Sequence, residues 1–194
     1  ATHPPGLPQS SLAPPPLILR YSGLRPSRKE HTPALPHRPI EACGVIGDLH
    51  SVALVSMDGS IDWCCLPRFD SPSLFAAILD LNNGGFFRIA PHHSGTNRQM
   101  YLPETNVLLT RFLRKEGVGE VLDFMPVHEP GVSTRPEKVH EILRIVRAVR
   151  GEVHFRLECA PAFDYARRSH SVSSTPNGVL FSSGPERVAL LSEV

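Results

Sequence analysis

Asp62, Trp63, Arg68 and Asp70 stand within nine positions of one another. These residue types suit sugar chemistry. Glycoside hydrolysis sets two carboxyl groups across the scissile bond, one as acid and one as base or nucleophile. Asp62 and Asp70 have the spacing for such a pair, and Asp123 is a third carboxylate in a comparable setting. Arg68 could donate to a sugar hydroxyl, and the Trp63 ring could stack on a sugar face. Each residue also has a plainer use. An Asp beside a turn commonly caps a backbone N–H, and Asp70 lies one residue before a candidate N-cap, Ser71. Arg68 can fix its loop by pairing with Asp62 or Asp70. A lone Trp on an alternating strand fills a core. The plainer readings prevail, so no catalytic residue is assigned from spacing.

Other chemistries find less support. His92-His93 has no spaced third ligand, so no metal site is expected. The chain has no P-loop, no Gly-x-Ser-x-Gly elbow, no His-Glu-x-x-His and no dinucleotide fingerprint. No cofactor is expected. The four cysteines, at 43, 64, 65 and 159, form no Cys-x-x-Cys pair. On a strand Cys64 and Cys65 point to opposite faces and cannot easily bridge. They read as reduced thiols of a cytoplasmic protein.

The elements that must position the first cluster are mostly strands. Val45 to Val55 is apolar, and Asp58-Gly59 is a hairpin turn signal because Gly tolerates positive φ. On the return strand Ile61, Trp63 and Cys65 alternate with Ser60, Asp62 and Cys64, which predicts that the first three share one face. Ser71-Pro72 followed by Leu74, Phe75, Ile78 and Leu79 predicts one short helix near 72–80, ended by Asn82-Asn83-Gly84-Gly85. Further strands are predicted at Phe86 to Ala90, Thr105 to Arg114, Gly119 to Phe124, Glu152 to Cys159, Val179 to Ser182 and Arg187 to Leu191. Residues 139–150 fit helical spacing as well, but their β-branched content and the Gly151 break favour a strand. Arg144, Arg147 and Arg150 then read as an exposed face. The sum is an all-β antiparallel sandwich.

Ten of the twenty prolines fall within residues 1–39, which read as a disordered tail. Residues 1–40 carry net charge +4 and the remainder −3. No basic stripe marks a nucleic-acid binder. No apolar run is long enough to span a bilayer, so no membrane partner is expected. The length of 194 residues suits one domain, placed at 40–194.

Several segments together resemble the N-terminal domain of trehalase-like and glucoamylase-like enzymes of glycoside hydrolase family 15. They are Gly44-Val45-Ile46-Gly47-Asp48, Val52-Ala53-Leu54-Val55, Asp58-Gly59-Ser60-Ile61-Asp62-Trp63 and Leu66-Pro67-Arg68-Phe69-Asp70-Ser71-Pro72-Ser73-Leu74-Phe75-Ala76. Tyr101-Leu102-Pro103-Glu104-Thr105-Asn106-Val107-Leu108, Asp123-Phe124-Met125-Pro126-Val127 and Arg147-Ala148-Val149-Arg150-Gly151 continue the likeness. Cys64-Cys65 replaces the usual Leu-Cys. The resemblance implies a β-sandwich that precedes an (α/α)6 barrel hydrolysing α-glucosides by inversion with two barrel glutamates. Nothing in this chain matches that barrel, so no catalytic residue carries over. The sandwich is expected to be incomplete at its C-terminal end, and the chain alone inactive. Its partners would be the barrel, in cis or in trans, and α-glucosides. Asp62, Trp63, Arg68 and Asp70 are the candidates for the substrate rim or the domain interface. Two alternatives stand beside this: a stand-alone carbohydrate-binding module, and an interaction protein using its proline-rich tail.

Overall fold

The computed structural model describes residues 39–127 and 140–192. The expected disorder of the tail falls on residues outside these, Pro39 excepted. The first sheet runs β1 (Cys43–Gly47), β2 (Val52–Ser56), β3 (Ser60–Cys65), β5 (Phe86–Pro91) and β10 (Phe155–Ala160), with β4 (Ser73–Phe75) paired to β3. The second runs β6 (Thr96–Tyr101), β7 (Leu108–Leu113), β8 (Gly117–Phe124) and β9 (Leu143–Gly151). A third holds β11 (Ser171–Thr175), β12 (Gly178–Ser183) and β13 (Glu186–Leu191). All pairings in the three sheets are antiparallel. The protein is an all-β antiparallel structure, as its alternating apolar pattern requires.

The two larger sheets meet face to face. Alternate residues of β7 and β8 point inward, among them Leu108, Phe112 and Val121, all at most 1% exposed. The rings of Phe112 and Phe155 meet edge to face with centroids 5.7 Å apart at 83°. Burying such a side chain contributes about 1.5–3 kcal/mol. Close approach needs Gly119, where a Cβ would lie 2.5 Å from Phe155 Cζ. Polar stitches join the layers too. Gln99 Nε2 donates to Thr110 Oγ1 at 3.0 Å on its own sheet and to the Val55 carbonyl at 3.2 Å on the facing one. The Tyr101 hydroxyl accepts from Val45 N–H and donates to Val45 C=O, both at 2.8 Å, and so occupies the free edge of β1. Val179 and Phe181 of the third sheet join the same core.

The hairpins follow the turn chemistry. Gly59 adopts φ +83° and donates its N–H to Ser56 C=O at 2.9 Å, closing β2 onto β3. Arg114 N–H bonds Gly117 C=O at 2.9 Å to close β7 onto β8. Residues 143–151 are a strand, not a helix.

Three expectations are corrected. First, 72–80 contains no helix. Leu74 and Phe75 belong to β4, with Phe75 opposite Cys64 and Ser73 opposite Cys65. The N–H groups of Ala76, Ala77 and Ile78 bond the distant carbonyls of Gly84, Gly85 and Asp62 at 2.7, 3.2 and 3.1 Å, which removes the donors a helix would use. Ser71 caps a turn instead, accepting from Arg68 N–H at 3.2 Å. Second, Ile61 and Trp63 do not share a face. Leu54 pairs with Trp63 and Val55 with Ile61, so Asp62 is an extra residue on β3, a β-bulge. Third, the arginine run is not one exposed face. Arg144 points inward and its side chain is 2% exposed, while Arg147 points outward.

Candidate functional site

The bulge decides what the first candidate cluster can do. Asp62 is 8% exposed, and its carboxylate accepts from Ser56 Oγ at 2.5 Å and Ser60 Oγ at 2.6 Å. Its carbonyl accepts from Ile78 N–H. The side chain therefore closes the bulge and is turned away from solvent. Beyond it, Cys64 returns to the core while Trp63 lies half-buried on the opposite side of the sheet.

Arg68 and Asp70 lie elsewhere, on the loop between β3 and β4. Arg68 Nε and Nη2 donate to the two Asp70 carboxylate oxygens at 2.9 and 3.2 Å. Both side chains are more than half exposed, at 65% and 56%. The Arg68 hydrogen bond holds the Asp70 carboxyl below the ordinary carboxylate range, and Asp70 in turn raises the Arg68 guanidinium. An exposed pair of this kind adds little stability, but its bidentate geometry stiffens the loop. Phe69 between them is 66% exposed, and its N–H is fixed on His50 C=O at 2.9 Å. Of the two partners the sequence offered Arg68, it takes Asp70.

Trp63 meets a residue that the sequence left scattered. Its ring centroid is 6.3 Å from that of Tyr165, the planes inclined at 49°. Tyr165 sits in a turn where Asp164, Tyr165 and Ala166 all have positive φ, at 53°, 56° and 62°. Left-handed backbone costs an L-residue roughly 1–2 kcal/mol. The turn is pinned from below by Phe163, 2% exposed, and by Ala162 N–H on Leu74 C=O at 2.8 Å. Arg167 lies over Tyr165 at 5.5 Å and donates from Nη2 to Asp164 Oδ1 at 2.6 Å. The only hint in the sequence is Asp164, a residue type that tolerates this backbone region.

Asp123 is structural. It is 0% exposed and forms a bidentate pair with Arg144, at 2.8 and 3.2 Å. Asp48, which the sequence reading did not single out, is more strongly engaged than Asp70. It accepts from His50 N–H, Ser51 N–H and His140 Nδ1 at 3.0, 2.8 and 2.6 Å. Burial pushes its carboxyl up, but the hydrogen bonds from His140, Ser51 and His50 together hold it below the usual value. His92 and His93 line an open cleft of about 290 Å³ with Asp58, Arg88 and Arg114. Among the described residues no three metal-ligating side chains converge. Nor is any described helix long and apolar enough to cross a membrane.

A profile of the trehalase-like N-terminal family matches residues 28–193. A trehalase of Thermoplasma volcanium is 34% identical over 157 residues, 79% of this chain and 25% of that one. A trehalase of Thermoplasma acidophilum is 38% identical over 146 residues, covering 72% and 24%. A trehalase of Mycolicibacterium smegmatis is 37% identical over 152 residues, covering 72% and 22%. The chain thus spans about a quarter of the length of the curated relatives it matches. No solved structure matches it. The β2–β3 hairpin, the bulged β3 and the Leu66-to-Ala76 segment lie within the matched span, and the chain belongs to the trehalase-like N-terminal family.

Proposed function

We propose that this domain is the accessory, non-catalytic part of an α-glucoside hydrolase of the trehalase or glucoamylase kind. It packs on an (α/α)6 catalytic barrel outside these 194 residues and completes the rim of its site. The observation that carries the reading is the Arg68-Phe69-Asp70 loop. A large aromatic ring, 66% exposed, is held out by a bidentate ion pair, which is how a stiff docking contact is made. Trp63 lies on the same strand-and-loop unit. Asp62 serves it indirectly, by closing the bulge that sets the side Trp63 faces. Residues 1–39 act as a tail to a domain at 40–194. Four unpaired thiols, two of them buried, suit a reducing cytoplasm.

The test is glucose release from trehalose and maltose by the purified chain, with and without a separately expressed catalytic domain of the Mycolicibacterium smegmatis relative. The chain alone releases none, and mixing restores activity. Arg68→Ala lowers the restored rate about tenfold while the melting temperature stays within about 1 °C. No gain on mixing, or an Arg68→Ala loss that tracks melting temperature, discards the rim role.

A further inference from the structure

The geometry points to a sugar-ring platform built from Trp63 and Tyr165, with Arg167 and Asp164 at its border. It deepens the reading of an accessory domain for an α-glucoside hydrolase, from which the choice of gluco-configured pyranosides comes. The platform itself rests on four observations. Two aromatic rings from distant parts of the chain meet at 6.3 Å and 49°, giving an angled apolar surface. Tyr165 is 41% exposed, and its hydroxyl has no hydrogen-bond partner among the described residues. Three successive left-handed residues, closed by backbone bonds such as Arg167 N–H to Asp164 C=O at 3.0 Å, present Tyr165 outward. Its neighbour Phe163 supplies the buried contact. Strain of this kind collects at ligand sites. Finally, Arg167, with a side chain 67% exposed, and Asp164 set a donor and an acceptor beside the rings. An apolar face bordered by a few oriented polar groups is what a pyranose needs, since its C–H face stacks and its hydroxyls hydrogen-bond.

Trp63 is the chain's single Trp, so its emission reports on this site without interference. The experiment titrates the full chain with trehalose, maltose and maltotriose, with sorbitol as the non-cyclic control. The variants are Tyr165→Phe and Tyr165→Gly. Glycine suits φ +56° and removes the ring without adding strain, so Tyr165→Gly keeps or raises the melting temperature. The proposal expects a saturable change in emission with at least one glucoside. Tyr165→Phe keeps it within about threefold, and Tyr165→Gly weakens it about tenfold or more. An absent saturable change, an equal response to sorbitol, or undiminished binding by Tyr165→Gly overturns the platform. The titration contains no catalytic domain, so the platform can fail while activation on mixing succeeds, and the reverse.

Discussion

Arg144 shows how much one buried side chain can organise. Its guanidinium donates to both oxygens of Asp123, to Phe87 C=O and to Gly59 C=O, the last two at 2.7 Å, and lies 4.7 Å over the Phe87 ring. Asp123 and Arg144 come from β8 and β9, whereas Phe87 and Gly59 belong to the facing sheet and its hairpin. Desolvating two charges is costly, and only full pairing makes it tolerable. Arg144→Met leaves a buried carboxylate without its partner. Urea unfolding should show a loss of about 3–5 kcal/mol, and adding Asp123→Leu should recover a large part of it. Equal losses in the single and double variants would mean that the loss comes from Arg144's bonds to Phe87 and Gly59 on the facing sheet and not from the orphaned carboxylate. The sequence offered Asp123 only as a carboxylate near a motif, and Arg144 only as one of an arginine run. Neither burial could be read, because the facing strand that closes over them is remote in sequence.

At the scale of elements, the bulge on β3 is the feature that positions Trp63. Asp62→Ala leaves the hydroxyls of Ser56 and Ser60 without their shared buried acceptor. It should cost about 1–3 kcal/mol in thermal unfolding, and Trp63 emission should shift as the strand re-forms. Unchanged stability and emission would show that the backbone, not the carboxylate, holds the bulge. The hairpins of β2–β3 and β7–β8, and the strands β10, β12 and β13, were legible because local patterns and Gly turns specify them. β6 and β11 were not, since Thr96-Asn97-Arg98-Gln99 and Ser171-Val172-Ser173-Ser174-Thr175 are polar segments whose partners supply the apolar side. The helix expected at 72–80 failed for a related reason. Leu74, Phe75, Ile78 and Leu79 have helical spacing, but β3 and the Gly84–Gly85 corner take the backbone donors. The pairing of Trp63 with Tyr165 left no local trace beyond Asp164 in the turn.

At the scale of the whole molecule, one acid-sensitive contact lies where β1 meets the approach to β9. Asp48 joins the turn after β1 to His140, just before β9, and its carboxyl is held low in the folded state. A depressed carboxyl pKa stabilises the fold above its unfolded value, near 4, and that contribution is lost as pH falls through the native value. Asp48→Asn should therefore lower stability at neutral pH by about 1–2 kcal/mol and flatten the acid limb of the stability profile below about pH 4. An acid limb identical to that of the parent would place the sensitive carboxylate elsewhere.

Bulged β3 also has a consequence for length variation in this family of chains. An ordinary buried strand has no slack, because losing one residue turns every later side chain to the wrong side. Here Asp62 is the spare residue between two paired positions. Loss of the single codon for Asp62 would bring Ile61 and Trp63 into plain alternation, each still on its present side, opposite Val55 and Leu54. Position 62 is thus a site in β3 where a one-residue gap in a homologue is compatible with the same sheet, the same core and the same outward-facing indole.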